Sequence, residues 1–223
     1  MHQKKNKKIL IYFFLLIFLS TISNNSFKDL KLSQIQNIKI SGLNQKENEI
    51  FLSKVKYLNK ENIFMINKNE IVKLFNSNSL VEKYEVFKKY PSTININIEK
   101  TDFFAKINKN GKIYLVGSNG KLTLAEDFYN DLPYIFGKPS IKEFLKFKQI
   151  IDKSKFSYNQ IENLYFFPSN RWDIKLKQNI LLRLPYDLNH ESLDRLYKFL
   201  KYNTEKNLTV IDNRIEGQII LNE

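Results

Sequence analysis

Lys4, Lys5, Lys7 and Lys8 stand in front of an apolar run, Ile9–Leu19, which Ser20, Thr21, Ile22 and Ser23 continue. No acidic residue occurs before Asp29. Lysines on one flank of an apolar segment hold that flank in the cytoplasm, so the rest of the chain is expected to be exported. At a rise of ~1.5 Å per residue, a helix over Ile9–Ser23 covers roughly 22 Å, short of a hydrocarbon core of ~30 Å. Two readings stay open on these residues. One is an uncleaved signal anchor, lengthened by snorkelling lysines and polar flanks such as Asn24. The other is a cleavable signal peptide with Thr21 and Ser23 as a poor small-x-small site.

The chain has 223 residues in all, 43% apolar and 26% charged, a balance that buries a core rather than staying disordered. It has no cysteine, which excludes disulfides, cysteine nucleophiles and thiolate metal sites. Its two histidines, His2 and His190, exclude a multi-histidine zinc site. The net charge of +13 comes from 36 basic against 23 acidic residues. The basic set is 32 Lys and only 4 Arg, beside 27 Asn, 27 Ile and 2 Ala. That bias matches A/T-rich codons, and arginine, the residue suited to bidentate phosphate and base contacts, is scarce. A solvated lysine surface is therefore read in preference to nucleic-acid binding.

Asn24–Ser33 is polar and reads as a linker. Ile35, Ile38 and Ile40 lead a short strand into Ser41-Gly42, with Ile38 and Ile40 expected to be buried and Ile35 opposite. Phe51, Val55 and Leu58 mark one face of a helix over Lys46–Leu58. A second helix starts near Asn67, with Glu70 three residues on and Ile71, Leu74 and Phe75 as its apolar face. Val81–Lys89 and Thr93–Glu99 are strands broken by Tyr90-Pro91-Ser92. The second alternates Ile94, Ile96 and Ile98 with polar residues. The order is β-α-α-β-β. Beyond a boundary near Lys100–Asp102, strands dominate. A hairpin turns at Asn110-Gly111. A further strand covers Lys121–Leu124, a helix Ile141–Ile151, and strands Ile161–Phe167, Arg171–Leu176 and Ile180–Leu184. A helix capped by Asn189 carries Leu193, Leu196, Tyr197 and Leu200, and Leu208–Asp212 and Gln218–Leu221 are the closing strands. The fold class is α+β, with an N-terminal transmembrane helix.

Catalytic signatures are thin. His190 reads as an exposed first-turn residue, and Glu99 and Glu126-Asp127 as surface acids rather than a hydrolytic pair. Neither a glycine-rich phosphate loop nor a nucleophile elbow is present. Arg171 and Trp172 are adjacent on a strand and so face opposite sides, Trp172 as a core anchor and Arg171 on the surface. Asp212 and Arg214 share a face if their strand stays regular.

Several segments resemble, in order, motifs of one family. They are Ile35-Gln36-Asn37-Ile38-Lys39-Ile40-Ser41-Gly42, Asn62-Ile63-Phe64-Met65-Ile66-Asn67, and Tyr90-Pro91-Ser92-Thr93-Ile94-Asn95-Ile96 followed by Glu99-Lys100. Leu115-Val116-Gly117-Ser118-Asn119-Gly120, Leu132-Pro133 with Gly137, Arg171-Trp172-Asp173-Ile174 with Leu184-Pro185, and Ile211-Asp212-Asn213-Arg214 complete the series. The family is FtsQ/DivIB, bacterial cell-division proteins. The resemblance implies a cytoplasmic tail at residues 1–8, a transmembrane signal anchor at 9–23, a linker at 24–33, a POTRA domain at 34–100 and a mainly antiparallel β domain with helices at 101–223. It implies an inner-membrane, single-pass protein at the division septum, with its bulk in the periplasm. It implies no enzymatic activity, cofactor, metal or small-molecule substrate. FtsB- and FtsL-like division proteins are the expected partners, and control of septal peptidoglycan synthesis the expected role. Asn213 stands where family members usually have Leu or Met, and the loop after Arg214 is short. By the same resemblance the partner docks on the last strand, at Arg214, Ile215, Gln218, Ile219, Ile220 and Leu221. An edge strand there offers unpaired backbone groups for strand addition. The alternatives are an exported POTRA-bearing protein that chaperones β-rich clients, and a periplasmic cell-wall enzyme.

Overall fold

The computed structural model describes residues 3–22, 34–125, 131–203, 208–215 and 217–222. The expected linker at 24–33, the Glu126-Asp127 pair and Ser23 of the cleavage site lie outside them.

The N-terminal helix, α1 (Gln3–Ile22), exposes every side chain from Ile9 to Leu19. Its lysines fall in the first two turns, so the apolar stretch covers only about 16 Å at ~1.5 Å per residue. No helix among the described residues is long and apolar enough to cross a membrane. The expectation of a full transmembrane helix at residues 9–23 is not met on that measure.

From Gln34 the chain forms two compact units. One takes the chain up to Asn69 together with Glu85–Asn97; the other takes Glu70–Tyr84 with everything from Ile98. In the first unit β1 (Asn37–Ser41) pairs in parallel with β3 (Thr93–Lys100), Ile38 opposite Ile94 and Ile40 opposite Ile96. β2 (Val81–Lys89) flanks β3 on its other side, completing the sheet order β1-β3-β2. α2 (Gln45–Val55) begins in a capping box: the Asn44 side chain accepts from Glu47 N–H at 2.8 Å, while Glu47 reaches back to Asn44 N–H. The helix tightens into a 3₁₀ turn at Lys56–Lys60. It buries Phe51 and Val55, and the turn buries Leu58.

The β1 expectation needs correction. Ile35 is the buried residue, 1% exposed, whereas Ile38 and Ile40 are half-buried. β1 is the edge of its sheet, so its inward side chains are covered from one flank only, by β3. Aspartate at Ile40 should therefore cost about 1–2 kcal/mol, because water reaches the carboxylate. At Ile96, 1% exposed at the sheet centre, it should cost roughly 3 kcal/mol or more. Hydrogen exchange of the β3 amides checks this. Collapse of protection in Ile96→Asp with near-normal protection in Ile40→Asp is the expected result.

In the second unit α3 (Lys68–Ser77) buries Ile71 and Phe75, and Phe75 stacks on Tyr84 at 4.3 Å. Among the described residues nine strands form one sheet. β4 (Phe103–Lys109) and β5 (Lys112–Gly117) make the expected hairpin. Asn110 and Gly111 both have positive φ, as a two-residue turn of matching twist needs. β6 (Leu122–Leu124) borders β5. β7 (Tyr134–Phe136) is a strand that sequence reasoning does not find; it runs parallel to β4 on one side and to β8 (Ile161–Phe166) on the other. β9 (Trp172–Leu176) and β10 (Leu181–Arg183) continue antiparallel. β11 (Val210–Asp212) is parallel to β10, and β12 (Ile220–Asn222) is antiparallel to β11. The order is β12-β11-β10-β9-β8-β7-β4-β5-β6.

α4 (Ile141–Lys153) and α5 (His190–Tyr202) supply Phe144, Phe147, Ile151, Leu193 and Leu196 to one core with Ile174, Leu182 and Ile211 of the strands. Trp172 stacks on Phe147 at 4.5 Å, the core anchor expected of it. Ser140 and Asn189 cap the two helices, Asn189 accepting from Ser192 N–H at 2.8 Å. Lys148 is buried between the rings of Phe104 and Tyr158, 4.5 and 4.4 Å from their centroids, with its charge met by Asp152 at 2.7 Å.

The breaks between units fall at Asn69/Glu70, Tyr84/Glu85 and Asn97/Ile98. Within the second unit Asn119 donates to the carbonyls of Ser79 and Val81 at 2.9 and 3.0 Å. Ser118 donates to Glu82 at 2.8 Å and pairs with Thr101 at 2.9 Å. These bonds hold the start of β2 against the turn after β5, which is why Glu70–Tyr84 cluster with the large sheet.

Candidate partner-binding edge

β12 ends the nine-stranded sheet, and its outer side has no neighbouring strand among the described residues. The direction of its backbone groups can be derived from β11. Leu181 N–H donates to Thr209 O and Asn213 N–H to Arg183 O, so residues 209 and 213 face β10. Alternation turns Val210 and Asp212 toward β12. Their register partners Asn222 and Ile220 therefore bond inward, and Leu221 between them points its N–H and C=O outward. Side chains alternate too. Leu221 lies opposite Ile211 and packs against the core, whereas Ile220 is opposite Asp212 and 54% exposed.

The open face of the sheet brings charges to this edge. Asp173, Arg183 and Asp212 are neighbours across β9, β10 and β11, with Ile220 next on β12. Asp212 receives Arg214 Nε at 2.8 and 2.9 Å and Arg214 N–H at 3.1 Å. Arg214 Nη2 lies 2.6 Å away and Arg183 Nη1 donates at 3.5 Å. Hydrogen bonds from Arg214 hold the Asp212 carboxyl below the usual carboxylate range, and in turn raise the Arg214 guanidinium. Asp173 is buried. Burial pushes its carboxyl up, opposed by the Leu184 N–H at 3.2 Å and by Arg171 at 3.3 Å. Beside this row a cleft of about 180 Å³ is lined by Tyr186, Ser192, Arg195 and Arg214 among others.

The Asp212 clamp has a pH signature. A folded carboxyl below its unfolded value of ~3.9 contributes fully above that value, and the contribution is lost as pH falls through the folded value. Asp212→Asn should melt below the parent at pH 7. The gap should close as pH falls below the ordinary carboxylate range, as paired melting curves would show.

The six sequence-derived residues lie in or just before β12, and only Ile220 and Leu221 fall within it. Arg214 forms the clamp, Ile215 and Ile219 are exposed, and Ile220 and Leu221 occupy β12. Gln218 lies outside the strand, in a turn where its N–H meets Ile215 O at 3.2 Å and Gly217 takes φ +77°. The strand begins two residues later than the expected Gln218–Leu221. Sequence reasoning misses Arg183 and Asp173, because their neighbours lie across strands far apart in sequence. His190 is exposed at the start of α5, and Glu99 pairs with Lys83 on the surface at 3.3 Å.

Comparison with known proteins adds the decisive observation. The FtsQ-type POTRA domain matches residues 33–100, and the family described as "Cell division protein FtsQ/DivIB, C-terminal" matches residues 105–214. The chain belongs to the FtsQ/DivIB family. The cell division protein DivIB of Staphylococcus aureus (strain NCTC 8325 / PS 47) is 24% identical over 144 residues. That alignment covers 62% of this chain and 32% of the relative, so the chain matches about a third of that FtsQ/DivIB protein's length. The FtsQ/DivIB match ends at Arg214, so Ile215–Leu221 and β12 lie beyond it.

Proposed function

We propose that this FtsQ/DivIB-family chain is a non-enzymatic division scaffold. It is held at the inner membrane by α1, with its bulk in the periplasm at the septum. There it recruits FtsB- and FtsL-like partners and so takes part in controlling septal peptidoglycan synthesis. The observation that carries the reading is the outward backbone of Leu221 on the terminal strand of the large sheet, beside the Asp212–Arg214–Arg183 cluster. An extended partner segment adds to such an edge through main-chain hydrogen bonds, and side chains beside it supply specificity. Ile215, Ile219 and Ile220 offer apolar contacts, and the arginines suit a carboxylate on the incoming strand.

Membrane attachment is supported by the sequence of α1. Its apolar run Ile9–Leu19 follows Lys4, Lys5, Lys7 and Lys8, the flank of a segment that enters a membrane from the cytoplasmic side. Recovery of the intact chain from membranes, followed by N-terminal sequencing, should give a terminus ahead of Lys4. A terminus near Asn24 contradicts the anchor. Pull-down of the membrane-borne chain should enrich small septal proteins of the FtsB and FtsL type; their failure to enrich contradicts the scaffold.

A further inference from the structure

The first unit carries an exposed apolar tip that the partner edge does not use. Asn62 shapes it: its side chain accepts Phe64 N–H at 2.9 Å and its carbonyl accepts Met65 N–H at 2.9 Å. The turn leaves Phe64 66% and Met65 79% exposed. Tyr90, 56% exposed, stacks on Phe64 at 5.0 Å with the rings 20° apart, and Phe87 is also exposed. A soluble surface gains nothing from such a cluster, since its rings and thioether disrupt water without burial.

Two further observations say what covers it. The first is where the chain enters. Gln34 bridges to Asn62, Ile35 N–H donates to Glu61 O, and Gln36 N–H donates to Ser92 O, so the entering segment lies between the two loops that carry the aromatics. Only residues 23–33 separate it from α1, and eleven residues reach no more than ~40 Å fully extended. The second is charge. Residues 56–69 and 85–97 hold five lysines, Lys56, Lys60, Lys68, Lys88 and Lys89, against Glu61 and Glu85. Exposed Phe, Tyr and Met on segments that also carry an excess of lysine fit a bilayer interface, where rings sit at the headgroups and ammonium groups meet anionic lipid.

We propose that the tip formed by Phe64, Met65 and Tyr90, with Lys88 and Lys89, docks on an anionic phospholipid surface as a second membrane contact. The inference rests on the membrane attachment of α1. A short apolar helix gives weak hold alone, and two modest contacts on one chain reinforce each other. Contact would also fix which end of the unit faces the bilayer.

The test uses the full chain reconstituted with vesicles of phosphatidylethanolamine and phosphatidylglycerol containing brominated lipid. Phe64→Trp places a reporter at the tip, and Gln45→Trp places one at the other end of β1. Buried Trp172 is the common background. Flotation with the vesicles reports the anchor, and quenching reports the tip. The chain should float, with the Phe64→Trp emission quenched by half or more and that of Gln45→Trp near background. Adding Lys88→Gln and Lys89→Gln should cut tip quenching at least twofold. A floating chain whose Phe64→Trp emission stays unquenched overturns the inference, leaves the anchor standing and points to a protein partner for the tip. Equal quenching of both reporters also overturns it. A chain that does not float refutes the anchor and this inference with it.

Discussion

Gly137→Ala should be strongly destabilising. Gly137 takes φ +98°, in the region that side chains rarely adopt, and links β7 to the turn before α4. A Cβ built there meets the Phe166 carbonyl oxygen at 2.3 Å and its carbon at 3.1 Å. Both are backbone atoms at the end of β8, where Phe136 pairs with Tyr165. Relief requires moving β8 or breaking that pairing, and Trp172 packs on Phe166 from the core side. Backbone strain alone costs about 1–3 kcal/mol, and the clash adds to it, so roughly 3 kcal/mol or more is expected from a total of about 5–15. Fluorescence of Trp172, the single tryptophan, reports the transition. A urea midpoint far below that of the parent, or insoluble protein, is expected; an unchanged midpoint contradicts the close approach. Gly111→Ala is the control, with nothing within 4 Å of its Cβ and the same sign of φ, and should lose only the strain.

Local patterns make much of this fold legible. Ile94, Ile96 and Ile98 alternate because one face of β3 is buried, and all three are. Asn110-Gly111 turns the hairpin through its own backbone preference, and Leu193 and Leu196 mark the α5 face within one helix. What escapes depends on residues distant in sequence. β7 is three residues between Pro133 and Gly137, too short for periodicity, and exists because β4 and β8 flank it in parallel. The half-burial of Ile38 and Ile40 depends on β1 lying at a sheet edge, which their own spacing does not reveal. The same holds for the partner edge. Asp212 and Arg214 are two apart and can be read together, whereas Arg183 joins them only through the β10–β11 register. The Asn44–Glu47 capping box is visible as a spacing, but a helix expected from Lys46, one residue late, leaves Asn44 out of the capping position.

The proposed partner edge yields the other large effect. Proline at Leu221 removes the outward N–H of β12 and puts a ring where an added strand would pair. Its fixed φ suits an edge strand, and the inward bonds of Ile220 and Asn222 remain. Ile220→Pro, by contrast, takes away a donor to Asp212 and should detach the strand. Leu221 also packs on the core, so Leu221→Ala separates the loss of packing from the loss of the donor. The measurement is co-purification of the FtsB-like partner from membranes with the parent, Leu221→Ala and Leu221→Pro, each checked for an unchanged Trp172 unfolding transition apart from a loss of about 1–2 kcal/mol common to both variants. Recovery with Leu221→Ala near the parent level and at least tenfold lower with Leu221→Pro is predicted. A folded Leu221→Pro chain that captures the partner as the parent does contradicts strand addition at this edge.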